Sequence, residues 1–424
     1  MGNNWQIGSL DNGLRVVTAN VPTAQSASVN IFVGVGSRCE QPQVNGISHY
    51  MEHMLFKGTS RMPDAIQIAE AIEGSGGVLN AFTGKESTCY WNHVPFDAAR
   101  HAMDVLTDMV QHSLIEPAEI EKERSVVQQE IKRGHDQPGA WVGELLSRAV
   151  YGDQPIGWSI AGPPEVIDTI QRPDFVEHLE RWYRPNNMVL SVAGRVGHDD
   201  VMAWAAEYLG CATPGEIAAV SPAEPELPSE RVIVEGREIT QSNLAIGLRG
   251  LSRDDPDRFV LTVLTNLLGR GMSSRLFREV REKRGLAYSV GASTSRYAGV
   301  GSFSISAGVS PENVIEATKV ILHETRRLLD EPVGEEELTK ARDYTSGSFR
   351  LGLESPMSMA QRNGDSLLMM GRIEPVDEVV EQYQSVQPTD IQRVARRIFF
   401  SDNLGMAVVG PPMDRDALLA VLEI

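Results

Sequence analysis

Cysteine is scarce in this sequence, and its distribution excludes a disulfide framework. The 424-residue chain has three cysteines, Cys39, Cys89 and Cys211, which are odd in number and far apart. No CxxC pair is present to hold a metal or to carry out redox chemistry. We expect the three thiols to behave as small buried apolar residues in a reducing, cytoplasmic compartment.

Long apolar runs are also missing. No stretch approaches the roughly 18 uninterrupted apolar residues of a membrane-spanning helix. The first residues, MGNNWQIGSLDNG, have neither the apolar core of a signal peptide nor the basic amphipathic pattern of a transit peptide. We therefore expect no membrane partner.

Basic residues are in deficit. Lys and Arg number 39 against 57 Asp and Glu, which gives a formal net charge of −18. Nucleic-acid binding needs basic stripes, so nucleic acid is not expected as a partner. The composition is otherwise that of a globular protein, with 42% hydrophobic residues. The length exceeds what one hydrophobic core usually organises, so two or more domains are expected.

The chain consists of two similar halves on either side of a proline-rich segment. Residues 213–230 contain four prolines and no Lys or Arg, which predicts a stiff linker. Segments 184–209 and 400–424 both run from an Asn through an apolar strand and a Gly to a helix, and this self-similarity indicates a duplicated domain. Hairpins mixed with runs of helices predict α+β domains, each with a mixed or antiparallel sheet and flanking helices. The prediction is an amino-terminal domain at 1–212 and a homologous carboxyl-terminal domain at 231–424.

The elements that support this organisation follow from apolar periodicity and turn residues. Strands are predicted at about 15–20, 26–35, 77–83, 87–94, 188–194, 231–236, 241–249, 287–296, 300–308 and 404–409. Long helices are predicted at 97–113, 117–133, 256–269, 311–330 and 334–352.

A further helix, predicted between Gly46 and Lys57, carries two histidines and a glutamate. At about 100° per residue, His49 and His53 lie about 40° apart on one face, with Glu52 beside them. This His-x-x-Glu-His pattern is that of the inverted zincins, in which two imidazoles bind a metal and the glutamate is the general base. The alternative is an ordinary pair of surface or core histidines, and we favour the metal because the pattern is rare by chance.

A catalytic zinc needs a third protein ligand. Projection of the helix at 117–133 places Glu123 and Glu130 inside its apolar arc, two turns apart. Carboxylates on a buried face are costly unless they are paired or bound to a metal. One of the two can ligate the metal while the other orients a histidine, and buried salt bridges to arginines are the alternative.

The His49–His53 motif, followed by Glu130 within ERSVVQQE, resembles the pitrilysin/insulinase family of zinc peptidases. In length and sequence pattern the chain is most similar to the half-length bacterial and mitochondrial processing-peptidase type. The resemblance extends over essentially the whole chain. It implies that His49, His53 and Glu130 bind one Zn²⁺ per chain. It also implies that Glu52 activates water and that Glu123 supports the site.

The resemblance also assigns substrate residues. An arginine and a tyrosine at the spacing of Arg281 and Tyr288 bind substrate or stabilise the transition state in the family. Without the resemblance, these two would be a solvated helix charge and a packed strand residue. The segment LNAFTGKEST matches the family's edge strand, to which a peptide adds as an extra β-strand, and Asn80 and Ala81 are its binding residues.

Together these features predict a zinc metalloendopeptidase that hydrolyses peptides or unfolded segments in an enclosed chamber. Full-length relatives build that chamber from four homologous domains, so a chain with two domains implies a homodimer, or a heterodimer with a homologous subunit. One alternative is a non-catalytic or partner-dependent subunit of a processing-peptidase-like assembly. Another is a hydrolase that uses the same helix on small amides.

Overall fold

The computed structural model describes residues 5–424, so the first four residues of the segment MGNNWQIGSLDNG, in which no targeting signal is expected, lie outside it. Within this range there are eleven β-strands: β1 Trp5–Ser9, β2 Arg15–Asn20, β3 Ser26–Val33, β4 Val78–Thr83, β5 Thr88–Pro95, β6 Met188–Gly194, β7 Val232–Gly236, β8 Ser242–Gly250, β9 Ala287–Tyr297, β10 Val300–Val309 and β11 Leu404–Gly410. Every strand predicted from the sequence lies within two residues of an observed strand, and β1 was not predicted.

The same residues form fifteen α-helices: α1 Ile47–Leu55, α2 Ala65–Glu73, α3 Ala99–His112, α4 Pro117–His135, α5 Pro138–Tyr151, α6 Pro164–Ile167, α7 Arg172–Trp182, α8 His198–Leu209, α9 Arg258–Gly269, α10 Val314–Asp330, α11 Glu335–Leu351, α12 Pro356–Met370, α13 Val376–Ser385, α14 Pro388–Ile398 and α15 Arg415–Leu419. A π-helix spans Phe277–Glu282. Short 3₁₀ turns are found at Ser37–Cys39, Pro42–Val44, Phe96–Ala98, Pro185–Asn187, Pro311–Asn313 and Ser401–Asn403.

Each of two compact units is built around one sheet. The first unit comprises the residues up to Ile131, Ser159–Ser221 and Leu351–Pro375. Its strand order is β1-β2-β6-β3-β5-β4. The second unit comprises Lys132–Trp158, Pro222–Arg350 and Val376–Ile424, and its order is β7-β11-β8-β10-β9.

The two sheets share one topology. Strands β2 and β6 pair in parallel, as do β7 and β11, and the other neighbouring pairs of the described strands are antiparallel. When β1 is set aside, the order and the directions match strand by strand. The predicted α+β class, with mixed sheets and flanking helices, is therefore confirmed. The internal duplication remains an interpretation, and the shared topology supports it.

Each unit contains one helix from the other half of the sequence. Helix α5 packs on β8 and β11 in the second unit, and α12 packs on β3 and β6 in the first. Close approach of α12 depends on Gly364, where a Cβ atom would come within 2.4 Å of the Phe32 ring. Apart from these exchanged segments, the compact units lie on either side of residues 213–230, and the domain limits 1–212 and 231–424 remain a prediction. Residues 211–231 contain no helix or strand, and the units divide there between 221 and 222.

Within residues 5–424, no helix combines the length and the apolarity needed to cross a bilayer. The three cysteines are free thiols, of which Cys89 is buried, Cys39 is half-buried and Cys211 is exposed. The expected burial is therefore wrong for Cys211, because this residue follows α8 at the start of the irregular segment.

Candidate metal centre

Helix α1 forms because one face of it is continuously apolar. Its buried side chains recur at helical spacing: Ile47, Tyr50, Met51, Met54 and Leu55. The helix begins after Gly46, which has a φ of 101° and whose Cβ, if present, would lie 2.6 Å from the carbonyl oxygen of Ala161. It ends at Leu55, two residues before the predicted end. The motif residues His49, Glu52 and His53 occupy the partly buried side of the helix.

A buried carboxylate fixes the first turn of α1. One oxygen of Glu40 accepts hydrogen bonds from the backbone N–H of Gly46 and the side chain of Asn45, both at 2.7 Å. The other oxygen accepts the N–H of Ser48 at 2.8 Å. Burial raises the pKa of Glu40, and the donated hydrogen bonds oppose that shift. Glu40 thereby caps the N-terminal end of the helix that carries the histidines.

The three donor groups that the sequence assigns to one metal lie close together in the structure. Nε2 of His53 lies 3.4 Å from Oε2 of Glu130, and Nε2 of His49 lies 3.6 Å from the same oxygen. One ligand atom from each residue lies within 4.8 Å of the others. Zinc bonds of about 2.0–2.2 Å place the donors of a tetrahedral site about 3.3–3.5 Å apart. The two nitrogen–oxygen separations therefore fit a zinc ion bound by both imidazoles and by the Glu130 carboxylate.

The protonation state of His49 also suits a metal ligand. Burial, followed by the neighbouring His53, lowers the pKa of His49 to about 4. The imidazole is then neutral near pH 7, which is the form that coordinates a metal. The two imidazole rings meet edge to face with their centroids 4.8 Å apart.

Glu123 links the metal-ligand helix α1 to α4. One of its carboxylate oxygens lies 3.1 Å from Nδ1 of His53, and the other lies 2.5 Å from Nζ of Lys57. The Glu123 side chain is 8% exposed, so both contacts are shielded from water. Such a carboxylate fixes the imidazole so that its other nitrogen faces the metal position. Nothing in the sequence marks Lys57 as part of the site except that it lies four residues after His53.

The projection of α4 is correct for Glu123 but wrong for Glu130. The Glu130 side chain is 53% exposed, and Val126, one turn earlier on the same helix, is 45% exposed. The helix buries a narrower stripe of four residues: Ile120, Glu123, Arg124 and Val127. Glu130 therefore lies at the border of the buried stripe, where its carboxylate reaches the histidines and still faces solvent.

Glu52 is held by a hydroxyl group on β4. The Oγ1 atom of Thr83 donates a hydrogen bond of 2.6 Å to Oε2 of Glu52. Burial raises the pKa of Glu52, while the Thr83 hydrogen bond acts in the opposite direction. A carboxylate with a raised pKa is a better proton acceptor near neutral pH, which is what a general base needs. Thr83 was not assigned a role from the sequence.

Strand β4 is a free edge of the first sheet, and α1 packs against it. Its exposure alternates, with Asn80 exposed and Ala81 half-buried. The Ala81 N–H donates to the side-chain oxygen of Asn80 at 2.8 Å. Both predicted binding residues thus lie on the edge strand of this sheet, which pairs with β5 and with no other described strand.

Arg281 and Tyr288 lie in the second unit and contact each other. The Arg281 guanidinium lies over the Tyr288 ring at 5.4 Å from its centroid and over the Phe277 ring at 4.8 Å. Tyr288, at the start of β9, is 80% exposed. It is therefore not the packed strand residue that the sequence alone would suggest. All the predicted metal-site residues lie in the first unit.

Two family models match the chain. The model for insulinase, peptidase family M16, matches residues 15–164, which include the histidine motif and both glutamates of α4. The model for the peptidase M16 inactive domain matches residues 169–344.

Solved structures of similar fold include a protease from Helicobacter pylori, with a TM-score of 0.89 and 22% identity over 96% of this chain and 99% of that one. A peptidase M16 inactive domain from Pseudomonas fluorescens has a TM-score of 0.89 and 20% identity over 97% of this chain and all of that one.

Curated relatives are more similar in sequence. An uncharacterized zinc protease of Bacillus subtilis, YmxG, is 36% identical over 94% of this chain and 97% of its own length. An uncharacterized zinc protease of Streptomyces coelicolor is 36% identical over 96% of this chain and 90% of the relative. Together with the matches to both family models, these relatives show that the chain belongs to the insulinase family, peptidase family M16.

Proposed function

We propose that the protein is a zinc metalloendopeptidase with one Zn²⁺ per chain. The observation that carries the proposal is the convergence of His49, His53 and Glu130 at separations that fit tetrahedral zinc, with Glu52 beside the histidines on the same helix. The names of the curated relatives, which are zinc proteases, support the choice of metal.

Each residue then has a defined part in peptide hydrolysis. A zinc ion bound by the three donors would polarise the scissile carbonyl and lower the pKa of water. Glu52 accepts the proton from water and delivers it to the leaving amine. Glu123 keeps the proton of His53 on Nδ1, so that Nε2 presents its lone pair, and Lys57 forms an ion pair with the other oxygen of Glu123.

The substrate binds by strand addition in this proposal. A peptide pairs with the backbone of β4 next to Asn80 and Ala81, which holds it without reading its side chains. Arg281 and Tyr288 stabilise the negative charge that develops on the carbonyl oxygen. Only an extended chain can lie along an edge strand, so the substrates are peptides and unfolded segments.

The active assembly is proposed to be a homodimer that encloses a chamber, and a homologous partner subunit is the alternative. This part of the proposal rests on the family resemblance and on the number of domains in the chain. The cytoplasmic location also remains a proposal, which three free thiols support.

A second candidate function is a non-catalytic or partner-dependent subunit. It is favoured by the match of residues 169–344 to the peptidase M16 inactive domain. The complete donor set and the base Glu52 lie within the segment that matches the other family model, residues 15–164, and they favour the enzyme.

The test uses the purified full-length chain. Metal analysis is expected to find one zinc per chain, and mass spectrometry is expected to detect internal cleavage of a denatured protein. The matched control is Glu52→Gln, which keeps the shape and the zinc but has no proton acceptor, so turnover should fall by about 100- to 10,000-fold. Zinc-loaded wild type that leaves denatured protein intact would contradict the enzyme and favour the subunit.

A further inference from the structure

Thr83 belongs to two parts of the site at once. It is the last residue of the edge strand β4, and its hydroxyl donates to the carboxylate of Glu52 at 2.6 Å. We infer that Thr83 is a positioning residue that couples the addition of a substrate strand at β4 to the orientation of Glu52. The inference rests on the proposed peptidase function.

The register of β4 shows which backbone groups face the free edge. In an antiparallel pair, alternate residues direct their N–H and C=O groups towards the partner strand and away from it. Ala81 directs its N–H to the side chain of Asn80 instead of to β5, so it belongs to the outward-facing set. Thr83 is two residues further along the same strand and shares that orientation. Its backbone therefore faces the position of an added peptide.

The side chain of Thr83 links the position of the Glu52 carboxylate to the position of strand β4. A β-branched side chain has few χ1 choices, so its hydroxyl moves with the backbone. The strand end is anchored on its inner side, because the N–H of Gly84 donates to the carbonyl of Ser87 at 2.7 Å and its own carbonyl accepts the N–H of Ser37 at 3.2 Å. A peptide that pairs with the outer side would fix the remaining freedom of this segment and hold the Glu52 carboxylate in one orientation.

The test compares two substitutions of Thr83 with one of Thr88, the residue directly opposite on β5. Thr83→Val keeps the shape and removes the hydroxyl, and Thr83→Ser keeps the hydroxyl. Thr88→Val is the matched control, because the Thr88 hydroxyl donates to the carbonyl of Val35 and not to Glu52. Circular dichroism and zinc content establish that each variant is folded and loaded.

Thr83→Val is expected to lower kcat by roughly 10- to 100-fold, the effect of one hydrogen bond to a charged group. Zinc content should be unchanged, Thr83→Ser should recover most of the rate, and Thr88→Val should retain the wild-type kcat. The loss should be larger for a peptide of ten residues, which can pair along β4, than for a tetrapeptide. In a Glu52→Gln background, Thr83→Val should have no further effect.

Several results would overturn the inference. One is a Thr83→Val variant with wild-type kcat, and another is an equal loss of kcat in Thr88→Val. A third is an equal loss of kcat for long and short peptides, and the last is a further loss of kcat when Thr83→Val is added to Glu52→Gln. A zinc-loaded wild type that cleaves no peptide overturns the proposed function as well, so the two failures are distinguishable.

Discussion

Glu123 lies 3.1 Å from Nδ1 of His53, across the interface between helices α4 and α1. The contact joins residues 70 positions apart in the sequence and is buried on the Glu123 side. It leaves Nε2 of His53 directed towards Glu130, at 3.4 Å. The orientation of one predicted ligand is therefore set by a residue that does not itself reach the metal position.

Replacement of Glu123 tests this arrangement. Glu123→Gln removes the charge that holds the His53 proton and leaves Lys57 without its anionic partner. Zinc affinity is expected to fall by about 10- to 100-fold, as is typical of residues that orient a ligand. Competition with a chromophoric chelator measures the affinity. The matched control is Glu121→Gln, an exposed glutamate on the same helix that pairs with Arg124. Equal affinities for Glu123→Gln and wild type would refute the orienting role.

Glu130→Gln should have a larger effect than Glu123→Gln, because it removes an anionic ligand itself. We expect this variant to lose most of its zinc and its peptidase activity while it keeps its fold. Zinc content after gel filtration and circular dichroism are the measurements. A Glu130→Gln variant that retains a full equivalent of zinc would remove Glu130 from the donor set.

The centre of the site was predictable because its spacing is local. His49 and His53 are four residues apart on one helix, and helical geometry alone brings them together. Glu130 is on a different helix, and its role was inferred from the position of a carboxylate near an apolar face. That argument held for the contact with the histidines but overestimated the burial of Glu130, because α4 buries a narrow stripe.

The residues that support the site could not be predicted, because their contacts with α1 are made from outside that helix. Glu40 reaches the start of α1 from a preceding turn, and Thr83 reaches Glu52 from a strand. Such contacts depend on tertiary packing, and no periodicity in the sequence marks them. Likewise, α5 and α12 each pack on the sheet of the other half of the sequence. The apolar pattern of a helix shows which of its faces is buried, but it does not show on which sheet that face packs.

Strand addition predicts that cleavage requires an unfolded substrate. A stable folded domain should resist the enzyme, and a destabilised point variant of the same domain should be cut in proportion to its unfolded fraction, because only extended chain can pair with β4. Gel electrophoresis over time gives the rates. A protease of known preference for unfolded chains serves as the control. Equal rates for the stable domain and its destabilised variant would rule out this mode of binding.

The proposed dimer predicts that two inactive variants can complement each other. The resemblance implies that the tyrosine facing a given zinc comes from the other chain, and exposed Tyr288 is available for such a role. When Glu52→Gln and Tyr288→Phe are mixed under conditions of subunit exchange, one site of each mixed dimer carries both lesions and the other carries neither.

Random pairing makes half of the dimers mixed, so about a quarter of the wild-type activity should return. Exchange is verified with two affinity tags. If it occurs and activity stays at the level of the separate variants, sites are not shared between chains.

A buried histidine away from the metal position predicts how stability depends on pH. His178 on α7 is buried, and burial, followed by Arg181, lowers its pKa to about 3. The cavity beside it is also lined by the carboxylates of Glu40, Asp174 and Glu177. An unfolded histidine has a pKa of about 6.5, so below that pH the unfolded chain takes up a proton that the folded chain takes up only near pH 3. The contribution of His178 to stability is therefore complete above pH 6.5 and is lost as the pH falls.

This loss approaches about 1.4 kcal/mol per pH unit for one proton. Urea denaturation of metal-free protein between pH 7 and pH 4 measures it, with His178→Leu as the variant and His101→Gln, at an exposed histidine, as the control. The free energy of unfolding should fall less steeply with acid in His178→Leu than in wild type. The acid dependence that arises from His49 is common to both proteins and cancels in the difference. If the difference in stability between His178→Leu and wild type is constant from pH 6.5 to pH 4, His178 does not stay neutral in the folded protein.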